Sequence, residues 1–276
     1  MSAERSTAAF MLQLGLRSFA GGNIDAALHR LSICEQQLRA MLPDDAGPDT
    51  ANGAQPGASA TGEQLSIQLG AVCGSLGDCH RRLGNAEEAA SSYQESVAQL
   101  QRCAVPSDEV GHPAATSLLP SVPCLVSAAS VQCHVSRCRP ANYCKCVNTC
   151  LSLSSTGNGV QVKHALSVSL NKLGDLQHWR GDVGDAWRCY EEALSLRREL
   201  AQSANEESGV AMQLDLVVSL IKVANAKQAL DDADLAQPLL EEARKATDRI
   251  ADRVHDGDKA SMAKLRGVQA YFDSTA

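Results

Sequence analysis

The stretch SLNKLGDLQHWRGDVGDAWRCYEEALSLRREL, Ser169 to Leu200, reads as two amphipathic helices joined by a tight turn. Leu166, Leu170, Leu173 and Leu176 recur three and four residues apart, which makes one apolar stripe on a helix. Gly174 interrupts that stripe at a cost of about 1 kcal/mol against alanine, so its use is to admit a second helix backbone at close range. Gly181 suits the left-handed residue that ends a helix, and Asp182 suits the cap of the next. Val183, Ala186, Trp187, Tyr190, Ala193 and Leu194 then share one face. Such a hairpin has too little core to stand alone, which predicts copies of itself.

Three further copies follow the same register. Ser75 to Leu100 sets Gly77, Gly84, Ala89 and Tyr93 where Gly174, Gly181, Ala186 and Tyr190 stand, with Asn85 and Glu88 spaced as a capping box. Near the start Gly15, Gly22, Ala27 and Leu31 keep these separations, with Asn23 as cap. Near the end Ala224, Asp231, Ala236, Leu240 and Ala243 do so, with Asp232 in the capping place.

The series of small residue, glycine, alanine, aromatic and alanine resembles the tetratricopeptide repeat family, whose signature Leu173, Gly174, Ala186, Tyr190 and Ala193 match. The first unit departs at Leu31 and Cys34 and the fourth at Ala224, and Leu170 stands where the family often has tryptophan. Gly174 and Ala224 lie 50 residues apart, which is similar to the longer-helix variety of the family. The resemblance implies an all-α, right-handed α-solenoid of stacked helical hairpins. It also implies that the first helix of each pair lines a concave groove for protein or peptide ligands.

Composition agrees, because 44% apolar residues with only 3% aromatic suit stacked helices that need small packing residues. A net charge of −7 argues against nucleic acid and acidic membrane surfaces. No apolar run approaches a membrane span, and Glu4 with the fit of Gly15 to the repeat favours a helix over a targeting peptide, so the chain is expected to be cytoplasmic.

The expected units are hairpin 1 at 7–42, a flexible linker at 43–63, hairpin 2 at 64–103, an insert at 104–160, hairpin 3 at 161–204, hairpin 4 at 208–250 and a capping helix at 257–276. The insert holds five of the nine prolines and loses the helical period, so it is expected to be disordered. Zinc held by Cys138, Cys146 and Cys150 with Cys133 or Cys144 is an alternative that would make the chain a metal-dependent regulator. A disulfide framework and untranslated sequence joined into the reading frame are the others. Loop closure grows only with the logarithm of length, about 2 kcal/mol here, so hairpins 2 and 3 are expected to stack across the insert.

The groove candidates are Asp78 and Arg81 in the second unit, Asn171, Asp175 and His178 in the third, and Asn225 and Gln228 in the fourth. Leu12, Leu16, Phe19 and Ile221 occupy the corresponding apolar places. Repeat proteins related to chaperone adaptors clamp a terminal carboxylate with lysine and asparagine at such positions, and this chain does not reproduce the set. Asp78 and Asp175 would favour a basic ligand, but solvation or pairing with Arg81 is the ordinary explanation of such charges. Cys73, Cys79, His80 and Cys189 lack a neighbouring base and orienting group, and no phosphate loop, HExxH or calcium-loop pattern occurs. The expected protein is a scaffold or adaptor without catalysis or cofactor, or alternatively the sensor arm of a larger signalling ATPase.

Overall fold

A computed structural model describes residues 2–42, 56–104, 158–204, 206–254 and 258–275. The described residues form helices and turns: α1 (Ser2–Ala20), α2 (Ile24–Met41), α3 (Pro56–Leu83), α4 (Ala86–Ala104), α5 (Asn158–Arg180), α6 (Val183–Ser203), α7 (Glu206–Ala229), α8 (Ala233–Ala251) and α9 (Lys259–Thr275). Each consecutive pair packs as a hairpin, and the second helix of one hairpin packs on the first helix of the next. The result is an all-α solenoid.

The four turns inside the hairpins are one structure used four times. Gly22, Gly84, Gly181 and Asp231 have φ of 82°, 82°, 91° and 62°. The next residue, Asn23, Asn85, Asp182 or Asp232, donates its amide at 2.9 Å to the carbonyl five residues back. That bond satisfies a carbonyl the ending helix would otherwise leave open. Asn23 also caps α2 by accepting from the Ala26 amide at 3.1 Å, whereas Asp182 and Asp232 make no side-chain cap bond.

Close approach within hairpins 1 to 3 depends on the missing side chain of the glycine. A methyl group on Gly77 would lie 2.5 Å from the Tyr93 ring, one on Gly174 2.6 Å from Tyr190, and one on Gly15 2.8 Å from Leu31. Gly70 repeats the device against Leu100 at 2.7 Å. Around these contacts the apolar stripes close into two cores. Hairpins 1 and 2 with Leu166, Leu170, Leu173 and Leu176 of α5 make the first, and Ala186, Tyr190 and Leu194 of α6 belong to the second with α7, α8 and α9. Hairpin 3 thus joins the two.

Hairpins 2 and 3 stack directly, as the small cost of a long closure predicts. Ser96 on α4 meets Ser169 on α5 with 2.8 Å between hydroxyls, and Gln101 donates to Glu192 at 2.7 Å. The residues between them, 105–157, lie outside the described residues, and so do Cys133, Cys138, Cys144, Cys146 and Cys150.

Two expectations need correction. Residues 56–63, assigned to the linker, are the start of α3, because Pro56 opens the helix where its missing amide is tolerated and no further proline follows. The stretch Gly209–Ala229 is also long and apolar enough to cross a membrane, and half of it is buried in the protein. Its apolarity is that of a core helix, packed between α6 and α8.

α9 packs on α7 and α8, and its sequence repeats a pattern of the first helices. Ser261, Lys264 and Leu265 keep the spacing of Ser169, Lys172 and Leu173 and of Ser219, Lys222 and Val223. All three serines are buried. Arg266 falls where the other units have Gly174 and Ala224, so α9 is a first-helix motif whose packing glycine is replaced by a long cation.

Gly174→Ala is expected to destabilise the protein by about 1–3 kcal/mol, because crowding against Tyr190 outweighs the helix-propensity gain. Gly267→Ala, with open space around the new methyl, is expected to stabilise it by up to about 1 kcal/mol. Urea unfolding of both variants checks the pair.

Candidate functional site

The first helices form the inner wall. α1 contacts α3 and α3 contacts α5, so the row of first helices is the short side of the curve. That wall is far less open than a bare groove, since α3 is buried on all sides from Leu69 to Cys79.

The candidate residues divide accordingly. Asp78 is only 4% exposed; its carboxylate accepts from the Tyr93 hydroxyl at 2.7 Å and pairs with Lys172 of the next unit. Asp175 repeats this one unit on, accepting from Tyr190 at 2.8 Å and pairing with Lys222, but about half of its side chain meets solvent. The two aspartates are therefore ties between units: the tyrosine comes from the same hairpin and the lysine from the next. Each lysine also lies over the tyrosine ring, Lys172 at 6.0 Å and Lys222 at 5.3 Å. A carboxylate already neutralised by lysine gives little reason to select a basic ligand, and the ion-pair partner is the next unit's lysine where sequence spacing suggests Arg81.

Asn171 is buried, with its amide donating to the Ser167 carbonyl at 2.8 Å, so it is a packing residue of the junction. Asn225 is half-buried and accepts from the Tyr271 hydroxyl of α9 at 2.5 Å. Leu12, Leu16, Phe19 and Ile221 are buried core. Arg81 and Gln228 are exposed, and His178 is half-buried with its Nδ1 lacking a partner in the structure. What solvent reaches is Arg81, Asp175, His178 and Gln228, all towards the hairpin turns. The helix spacing that puts Lys172 and Asp175 on one face adds Trp179, four residues beyond Asp175 and 75% exposed. Sequence reasoning missed Trp179, although its spacing from Lys172 is visible in the sequence.

Between α5, α6, α7 and α9 lies a polar junction. Arg197, 6% exposed, donates to the Asp215 carbonyl at 2.7 Å and to Ser219 Oγ at 2.9 Å. Lys264 of α9 pairs with the Asp215 carboxylate, and His164 Nδ1 lies 4.0 Å from it. Burial would raise Asp215, but Arg197, Lys264 and His164 outweigh it and hold the carboxyl below its usual range. Burial, assisted by the Arg197 and Lys264 charges, lowers His164 despite Asp215.

The cysteines in hairpins 1 to 3 are not poised for nucleophilic chemistry. Burial pushes the Cys34, Cys73, Cys79 and Cys189 thiols up to about 12 and Cys103 to about 11. Among the described residues no group of three His, Cys, Asp or Glu side chains is placed to hold a metal.

Both lowered pKa values act in one direction. The unfolded chain takes up a proton at His164 near the ordinary 6.5 and at Asp215 near 3.8, while the folded state resists both, so stability is full above these values and falls with pH through each. His164→Gln is expected to flatten the loss of melting temperature between pH 7 and 5.5, and Asp215→Asn the loss below pH 4, as calorimetry across pH would register. Lys172→Met, which strands the buried Asp78, is expected to cost about 3 kcal/mol, and Lys222→Met, beside the more exposed Asp175, about 1 kcal/mol or less in urea unfolding.

No family model matches the chain. Among curated proteins it is similar to Protein NCA1 of Arabidopsis thaliana, at 26% identity over 232 residues, covering 84% of this chain and 40% of that protein. The chain therefore spans well under half the length of this relative. Among solved structures it is similar to BtubC (BKLC) from P. vanneervenii, with a TM-score of 0.53 and 15% identity over 90% of this chain and 65% of that one. This likeness shows the fold, a stack of helical repeats.

Proposed function

We propose that the protein is a non-catalytic scaffold or adaptor that binds a segment of another protein along the turn-side half of its inner wall. The repeats are read here as tetratricopeptide-like, on the glycine and tyrosine contacts of hairpins 2 and 3. One observation carries the binding role: Arg81, Asp175, His178, Trp179 and Gln228 form the part of the inner wall that solvent reaches. Much of the rest of the wall on α3 and α5 is taken up in packing and in the ties between units. A partner segment running across α3, α5 and α7 would meet charge, hydrogen-bonding groups and one large ring within a short span. The high pKa values of the five thiols support a binding role over nucleophilic catalysis.

The test is affinity capture with the whole chain, comparing wild type with His178→Ala/Gln228→Ala and with an outer-helix control, Glu191→Ala. Partners retained by the control and lost by the double variant are expected. An unchanged partner list in all three would defeat this reading.

A further inference from the structure

Hairpin 1 turns one face away from hairpin 2, and we propose that this face docks an amphipathic helix of a partner protein, whose carboxylates meet Arg17 and Arg30. Phe10 stands where the later first helices have Val72, Ser169, Ser219 and Ser261 in the repeat register. All four are buried, and two of them show what the position faces. Ser169 meets Ser96 of the preceding unit, and Ser219 accepts from Arg197 of the preceding unit. Arg17 likewise stands where Cys79, Leu176, Ala226 and Val268 are buried. On α1 both positions meet solvent, Phe10 at 58% exposure.

The second helix carries a matching change. Glu95, Glu192 and Glu242 share one register position, and each accepts from the second helix of the preceding unit, from Arg39, Gln101 and Arg198. Hairpin 1 has Ile33 at that position. Ile33 and Leu14, the latter one turn after Phe10, are half-buried and belong to neither apolar core. A terminal repeat ordinarily turns a polar face outward. This one places phenylalanine and isoleucine where three later units use serine and glutamate to hold a neighbour. Each junction in the stack covers the Phe10 position with a second helix, so the occupant that continues the pattern is itself a helix.

Charge decides which helix. Arg30 donates to the Leu14 carbonyl at 3.5 Å and to the Ser18 hydroxyl, which holds it beside Leu14, and Arg17 follows Leu14 by three residues on the same face. Neither arginine makes an ion pair among the described residues. No acidic residue stands three or four positions from Phe10, Leu14, Arg17, Arg30 or Ile33. Glu35 is bonded to Arg39, and Asp25 lies five residues before Arg30, about 140° round the helix. A second copy of this face would bring the same two arginines and no carboxylate to answer them. The surface therefore selects an acidic amphipathic helix over itself.

The experiment uses two fluorescein-labelled helical peptides with one leucine stripe, flanked by glutamate in one and by lysine in the other, read by fluorescence anisotropy against the whole chain. The glutamate helix is expected to bind at least about tenfold more tightly than the lysine helix. Phe10→Ser and Ile33→Glu, which install residues of the later units, and Arg17→Gln are each expected to weaken it about tenfold with unchanged circular dichroism. His178→Ala/Gln228→Ala, on the inner wall, is expected to leave it unaltered. Sedimentation of the chain alone is expected to be the same for wild type and Phe10→Ser. Failure of the glutamate helix to bind, equal binding of the lysine helix, undiminished binding by Phe10→Ser, equal loss in the wall variant, or a dimer that Phe10→Ser dissociates would overturn the assignment.

Discussion

Three of the four hairpins depend on how closely two helices can approach at a single glycine. Gly15, Gly77 and Gly174 each face a large side chain of their own hairpin at a distance that no β-carbon would allow. That contact sets the separation of the two helices, and with it the position of the tyrosine hydroxyl. In hairpins 2 and 3 the hydroxyl then reaches an aspartate one residue after the glycine, and the aspartate reaches a lysine of the next unit. Packing within a unit and attachment between units are thus one continuous arrangement.

The same arrangement decides what is left for a ligand. An inner wall composed of residues as short as serine, glycine and cysteine lets the first helices crowd together, and α3 loses its open face as a result. The polar groups a sequence reader would assign to binding are consumed by the crowding: Asp78 and Asn171 are buried, and Asn225 is taken by Tyr271 of α9. Only towards the turns, where the helices end and side chains grow longer, does the wall present groups to solvent.

The fold was almost wholly legible in the sequence. Four positive-φ turns sit at Gly22, Gly84, Gly181 and Asp231, where the repeat register put them, because such a turn has few sequence solutions. Element boundaries were less legible. Pro56 looked like part of a linker because a proline at the first helical position and a proline in a loop look alike in sequence. The candidate site was less legible. Asp175 is exposed and His178 half-buried on α5, but whether an aspartate is free or tied depends on a lysine two residues before the next unit's glycine or alanine, which is a relation between units. The recurrence of Lys172, Lys222 and Lys264 was a visible signal of it, and so was the serine three residues before each. Reading α9 as a simple cap hid its kinship with the inner helices.

The outer helices are linked differently from the inner ones. Arg39 of α2 bonds Glu95 of α4 at 3.2 Å, and Arg198 of α6 bonds Glu242 of α8 at 2.7 Å, and in each pair both partners are substantially exposed. Counterions screen such contacts readily, while the buried Asp78 and Lys172 tie on the opposite side is shielded from them. Raising ionic strength therefore weakens these outer contacts, and the half-exposed Asp175 and Lys222 tie with them, before it reaches the buried Asp78 and Lys172 tie.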